Sequence, residues 1–447
     1  MGSTNRQAGP NIPADTQENK IYSSNPVITS IFTADPSAHV WEDGRIYIYP
    51  SRDMDPPKGC DLMDHYHVFS SEDIVNWVDE GEILSSEEVS WGRPEGGFMW
   101  APDCAFKNGT YYFYYPHPTG EWNETWKVGV ATSNKPASGF KDQGYIEGLG
   151  GFAMIDPCVF TDDDGRSYMY YGGGARCQGG ELNEDMMSLK DGMEDMEGLV
   201  DFHEATWVFK RKGIYYMTYA DNNYGANKMR YAISKSPLGP WVYKGVFLEP
   251  TGCDTTHGSV TEYKGNWYLF YHDQSLSGQG NLRTVCIDYL YFNEDGTIKT
   301  VVQTREGVRA AGKAPVPNTA LKKYEVTGCT LGQGAVLGNK QNSADKVIRI
   351  SKPGAYFRLD NVDGSNGARA AIKVYYSTDE KLAKLQLTVN ERDSSLLNAK
   401  YTGKGESGCG CTYITVNLKP GNANTIRLTG SLGDILIEGV TIELLDK

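Results

Sequence analysis

Along the first two thirds of the chain, apolar and aromatic positions come in short runs separated by turn residues. The clearest case is Ile155 to Gly173, IDPCVFTDDDGRSYMYYGG. An apolar run (Cys158 to Phe160) meets an acidic, glycine-containing turn (Asp162 to Gly165), and an aromatic run (Tyr168 to Tyr171) follows. That is strand, tight turn, strand. The pattern recurs from Asp35 (DPSAHVWEDGRIYIYPSRD), Ala101 (APDCAFKNGTYYFYYPHP), Glu204 (EATWVFKRKGIYYMTYADN) and His257 (HGSVTEYKGNWYLFYHDQ). Each unit is followed by a second strand pair, as in HYHVFSSEDIVNWVDEG, WKVGVATSNKPASGFKDQG and KMRYAISKSPLGPWVYKG. Four strands repeated at roughly 50–70 residues describe a propeller blade. Five units predict five blades, over residues 25–304.

The pattern changes on either side. Residues 1–24 read as a disordered leader, and 305–320, with GVRAAGKAPVPNTA, as a Gly/Ala/Pro-rich linker. From 321 to 447, strands such as KVIRIS, AYFRLD, AAIKVYYS, KLQLTVN, YITVNL, NTIRLT and ILIEGVTIELL alternate with Gly, Asn and Asp turns, which predicts a β-sandwich of jelly-roll type. The expected fold is therefore all-β: a five-bladed β-propeller followed by a sandwich. An acidic, Met-rich stretch between Gly179 and Asp201 lacks calcium-loop spacing and reads as a solvated outer strand and loop.

Length and composition agree. At 447 residues the chain is too long for one ordinary core. A net charge of -14 argues against nucleic acid or an anionic membrane as partner and is compatible with a neutral substrate. The 29 Tyr and 9 Trp suit a β-rich protein that touches amphipathic ligands such as sugars. The 9 Cys are scattered, with only Cys409 and Cys411 close together, which is a poor zinc signal; mostly buried free thiols are expected, with disulfides left open. The polar start has no hydrophobic signal segment. An extracellular or periplasmic location is expected if a signal peptide has been removed, a cytoplasmic one otherwise, and a monomer in either case.

The first strand of each blade lines the central channel, so the first position of each unit should converge on one mouth. Those positions are Asp35, Ala101, Asp156, Glu204 and His257. Singly, an Asp before Pro is a common turn opener. As a set, three carboxylates and an imidazole from four blades break the repeat symmetry in one place. Several carboxylates around one pocket suit glycosidic bond cleavage: one donates a proton to the leaving oxygen, and another activates water or attacks the anomeric carbon. Glu204, among Phe202, Ala205 and Trp207, is the best candidate acid. Asp35 is then the base and Asp156 the group that tunes the acid, with the reverse assignment of these two open.

These residues carry a resemblance. Asp35 in ADPS, Asp156 in IDPCVF, Glu204 in HEATW and His257 in HGSV resemble glycoside hydrolase family 43. The resemblance implies inverting enzymes on a five-bladed propeller. It makes Asp35 the general base, Asp156 the pKa modulator and orienter, and Glu204 the general acid, with base and acid carboxyls about 6.5–9.5 Å apart. It also implies that His257 sits beneath the catalytic centre, as a calcium ligand in the channel or as a neutral hydrogen-bonded imidazole; that Trp100 in MWAPD walls the sugar pocket or packs between blades; and that Arg283 in NLRTV faces substrate or forms an outward salt bridge. No organic cofactor is implied. The C-terminal part resembles a carbohydrate-binding module of family 6 through GAYFRLDNV and GNANTIRL, but it has no Trp, so a stabilising or loop-donating role competes with sugar binding. The expected activity is exo-acting release of terminal β-D-xylose or α-L-arabinofuranose from xylan or arabinoxylan chains and oligosaccharides. An endo-arabinanase or a non-catalytic sugar-binding propeller is the alternative.

Overall fold

The computed structural model describes all residues except 1–20, 56–61, 121–125, 150–153, 222, 224–225, 316–318, 342, 403–409 and 446–447. Most of the expected leader, part of the Met54 to His65 loop, and Cys409 lie outside the described residues.

Five small antiparallel sheets follow the five repeats. Their innermost strands are Thr33–Val40, Asp103–Lys107, Cys158–Thr161, Phe202–Arg211 and Gly258–Tyr263, and each sheet runs outward in chain order. Four sheets have four strands. The fifth, which was expected to match them, has three (Gly258–Tyr263, Asn266–Asp273, Thr284–Tyr289) among the described residues. Its outer edge is met by the start of the chain. Val27 N–H donates to Val285 O at 2.8 Å, and the Asn25 side chain exchanges hydrogen bonds with Ile287 at 2.8 and 3.0 Å. An edge that would expose unpaired backbone is thus covered, and the ring is tied across its seam.

The turn glycines Gly44, Gly109, Gly165, Gly213 and Gly265 have φ of +76, +82, +82, +73 and +81°. A Cβ there would touch nothing within 4 Å, so glycine is required by backbone conformation and not by space. Asn108, Lys212 and Lys264 before three of them also have positive φ, as two-residue turns matched to the strand twist demand.

The tyrosines have a structural use that composition did not reveal. Tyr49 hydroxyl donates to Pro136 O (2.7 Å), Tyr114 to Met186 O (2.8 Å), Tyr170 to Pro237 O (2.7 Å), Tyr216 to Gly296 O (2.7 Å) and Tyr263 to Glu72 O (2.6 Å). Each bond runs from one blade to the next, and the last returns to blade one. The aromatic content thus serves inter-blade packing, where a large ring fills the wedge and its hydroxyl finds a carbonyl.

Two further sheets follow. One runs Val336–Asn339, Lys346–Ile350, Ile435–Leu444, Arg369–Ser377, Gly410–Asn417, with Leu321–Tyr324 also paired to Ile435–Leu444. The other runs Thr330–Gly332, Tyr356–Val362, Asn424–Leu432, Leu382–Val389, Asp393–Lys400. Between them lies an almost wholly aliphatic core that includes Ile348, Ile372, Val374, Leu385, Leu387, Leu428 and Ile437. The stretch joining the two parts packs on the propeller: Val308 is buried and its N–H donates to Ser23 Oγ at 2.9 Å. The seven described cysteines are free, and all but Cys329 are buried.

Candidate active site

The acids are aimed by irregular backbone. In the first inner strand the register slips between Ala34 and Ser37, so Asp35 sits on a bulge with φ +49°. In the fourth it slips on both sides of Glu204, and Ala205 has φ +67°. Asp156, just ahead of the third inner strand, has φ +53°. Bulges re-aim side chains out of the pleat, and left-handed backbone in non-glycine residues costs about 1–3 kcal/mol, which the surrounding contacts must offset.

These turns bring the six candidates together. Asp35, Asp156, Glu204, His257, Trp100 and Arg283 all line one cavity of about 120 Å³, with Met63, Ala101, Ile155 and Thr255 completing it. Trp100 lines the cavity, and its ring packs within its own blade against Trp126 at 4.4 Å between ring centroids. Arg283 is not an outward ion pair; it is 7% exposed.

Arg283 organises the acids. Its Nε and Nη2 donate to Asp53 Oδ2 and Oδ1 at 3.0 and 2.9 Å, and Nη1 donates to Asp35 Oδ1 at 3.0 Å. Ser51 hydroxyl donates to Asp35 Oδ2 at 2.5 Å. Burial alone would raise the Asp35 pKa, but Arg283, the nearby His272 and His257, and the Ser51 hydroxyl hold it at about 2. Both histidines are pushed by burial to about 4, so near neutral pH Arg283 and Ser51 keep Asp35 ionised. His272 Nδ1 accepts the Asp35 backbone N–H at 3.1 Å, which leaves Nε2 to donate to Thr255 O at 3.0 Å.

Glu204 behaves oppositely. Burial first, and then the Asp35 charge, lift its pKa to about 7 against the pull of Arg283. Asp156 is also pushed up, by burial and by repulsion from Glu204 and Asp35, while Ala205 N–H donates to its Oδ2 at 2.6 Å and favours the ionised form. One cavity therefore holds one carboxyl kept low, Asp35, and two pushed up, Asp156 and Glu204, the latter to about 7.

His257 Nδ1 lies 3.8 Å from both Asp35 Oδ1 and Asp156 Oδ2. No group of three or more metal-ligating side chains occurs among the described residues. Asp103, electrostatically close to His257, has its oxygens taken by Ser37, His39 and the N–H groups of Cys104 and Val159. Calcium asks for six to eight oxygens, so the protein side chains do not by themselves form a calcium cage.

Sequence reasoning missed Asp53, Ser51, His272 and Thr255. A signal existed for Asp53 and His272: they close the second strand of their units (PSRD, YHDQ), where polar residues interrupt the aromatic run.

The model of glycosyl hydrolases family 43 matches residues 23–298. A xylosidase/arabinosidase of Humicola insolens is 35% identical over 332 residues, covering 62% of this chain and 98% of that protein. The crystal structure of a family 43 β-xylosidase/α-arabinofuranosidase from a compost microbial metagenome, in complex with xylotriose and in a calcium-free form, is 35% identical, covers 62% of this chain and 97% of its own, and has a TM-score of 0.57. An exo-β-1,3-galactanase from Phanerochaete chrysosporium covers 95% of this chain and 99% of its own with TM-score 0.71; at 17% identity it speaks for the fold alone, across both parts. The chain, with its five-bladed propeller and its acids at one channel mouth, belongs to glycosyl hydrolases family 43.

Proposed function

We propose that the protein is an exo-acting, inverting glycoside hydrolase that releases terminal β-D-xylose or α-L-arabinofuranose from xylan- and arabinoxylan-derived chains. The observation that carries this reading is the opposed protonation of Asp35 and Glu204 in one small cavity. Asp35, ionised, takes a proton from water as the water attacks the anomeric carbon. Glu204, protonated, gives its proton to the leaving glycosidic oxygen. Burial and the Asp35 charge keep Glu204 protonated, and Asp156, whose Oδ2 is held by the Ala205 N–H beside Glu204, helps orient the sugar. A cavity of about 120 Å³ suits one sugar ring rather than a chain, which supports exo action. Relatives named xylosidase/arabinosidase, and a β-xylosidase of Xylanibacter ruminicola at 33% identity, support the pentose.

Hydrolysis of aryl β-xyloside and aryl α-arabinofuranoside by wild type and Glu204→Ala is the test; a wild type inactive on both, and on arabinan, overturns the reading. Product anomers followed by NMR test inversion, and net retention removes Asp35 as base. Calcium would have to be held largely through water, with His257 as the protein ligand, and no step of hydrolysis passes through it. A melting temperature unchanged by chelator removes that proposal. Kinship of the sandwich to carbohydrate-binding modules of family 6 is likewise a proposal. Retention of the Glu204→Ala chain on insoluble xylan in saturating xylose supports sugar binding there, and free elution removes it.

A further inference from the structure

The segment between Leu248 and Gly258 leaves the outermost strand of blade four and enters the innermost strand of blade five. It has no regular secondary structure of its own and is held from two sides.

One side is the sandwich. In Arg369–Ser377 the side chains of Ile372 and Val374 point into the aliphatic core, so by the period of two Ala371, Lys373 and Tyr375 stand on the opposite face. Tyr375 pairs across the sheet with Cys411. This face meets the segment. Cys411 Sγ–H donates to Pro250 O at 3.2 Å, and from the end of a strand of the other sheet Lys400 Nζ reaches Asp254 Oδ1 at 2.6 Å. Lys373 Nζ donates to Gln303 Oε1 at 2.6 Å, and Gln303 in turn donates to Glu249 O at 2.7 Å. The approach is close: at Gly252, with φ +87°, a Cβ would lie 3.5 Å from Cys411 Sγ and 2.7 Å from Gln274 Nε2.

The other side is the catalytic cavity. Thr255 Oγ1 accepts from Arg283 Nη1 at 2.9 Å, the same nitrogen that donates to Asp35 Oδ1. Thr255 O accepts from His272 Nε2, whose Nδ1 receives the Asp35 N–H. One residue thus reaches Asp35 by two routes, one to its carboxylate and one to its left-handed backbone. His257 follows two positions later and lines the cavity.

We propose that the C-terminal sandwich is a positioning domain for catalysis: its Lys400, Cys411 and Lys373 brace residues 249–257 so that Thr255 holds Arg283, His272 and through them Asp35 in working geometry. The proposal rests on Asp35 acting in hydrolysis, and it gives the sandwich a role that needs no sugar. None of the three sandwich residues lines the cavity, so their effect is transmitted and not direct.

The test is the full-length Lys400→Ala/Cys411→Ala chain. With an aryl pentoside, kcat falls about tenfold while KM stays within about twofold, because the nucleophilic water and its base are misplaced while sugar contacts persist. A Lys400→Arg chain keeps the ion pair to Asp254 and retains wild-type kcat. Hydrogen exchange, which needs no substrate, shows faster exchange of the amides of 249–257 and of Asp35 in the double variant, with the rest of the propeller unchanged. Wild-type kcat in the double variant overturns the proposal, as does unchanged exchange in 249–257. A wild type that cleaves no pentoside but shows the exchange difference defeats the hydrolase reading and leaves the brace standing. A wild type that cleaves, beside an indifferent double variant, does the reverse.

Discussion

The two parts of the molecule are built from the same strand period and hold themselves together differently. The propeller buries tyrosines by the dozen, with Tyr49, Tyr66, Tyr114, Tyr115, Tyr168, Tyr170, Tyr171, Tyr216, Tyr219, Tyr268 and Tyr271 essentially inaccessible, and it ties blade to blade through their hydroxyls. The sandwich presses two sheets over Ile, Leu and Val. One ion pair from each part shows the contrast. Arg283 with Asp53 and Asp35 is enclosed in the propeller, whereas Arg349 with Asp434 in the sandwich has side chains 46% and 44% exposed. Wedge-shaped gaps between radial blades need large side chains with a polar end, and flat facing sheets need only hydrocarbon. A ring with a channel also leaves a place where buried charge can be put to use.

Five substitutions and one pH titration sharpen or break this contrast. The largest effect is expected at Glu204. Glu204→Gln should lower kcat on unactivated xylo-oligosaccharides by about 10²–10⁴-fold with little change in thermal unfolding, since a general acid is worth that much and its burial without charge costs the fold little. Comparable activity would end its role as acid. Next is the buried pair: Asp53→Asn leaves Arg283 half-unpaired and should destabilise the propeller by about 3–5 kcal/mol. Asp434→Asn, breaking the exposed pair, should cost about 0–1 kcal/mol in the same urea titrations. Equal losses would erase the distinction between the two regions.

The third is pH. Glu204 acts while protonated, and its pKa is raised to about 7 by burial and by Asp35. Rate is therefore full below that value and falls as pH rises through it, toward about tenfold per unit. On the acid side Asp35, held at about 2, stays ionised, so no loss from it is expected between about 4 and 6. A kcat/KM profile rising steadily from 6 to 9 would contradict the assignment. The smallest effect belongs to the ring of hydroxyls. Tyr170→Phe removes the bond to Pro237 O and should cost about 1 kcal/mol. Ile372→Val in the sandwich core should cost a similar 0.5–1.5 kcal/mol or so by lost packing alone.

Much of this was legible in the chain. Turn glycines eight or nine positions into each unit marked the hairpins, and the first position of each unit named Asp35, Asp156, Glu204 and His257 because there the repeats disagree with one another. Trp100 and Arg283 came only through family resemblance. The partners of these residues were not legible. Arg283 binds Asp53 across 230 positions and Asp35 across 248, and His272 accepts the Asp35 N–H across 237. Nor did the repeats announce that blade five stops at three described strands and borrows cover from residues 25–27. Which segment covers that edge depends on ring closure.

The sequence by itself determined most of the strands, the hairpin turns, the count of blades and four of the residues that meet in the cavity. Those follow from side-chain alternation and local backbone conformation, which neighbouring residues dictate. Only the tertiary structure decided that Asp35 is held low while Glu204 is pushed up to about 7, and that the sandwich touches the loop carrying Thr255. A pKa depends on desolvation and on charges within a few ångströms. Here both are supplied by segments hundreds of residues apart, brought together when the ring closes.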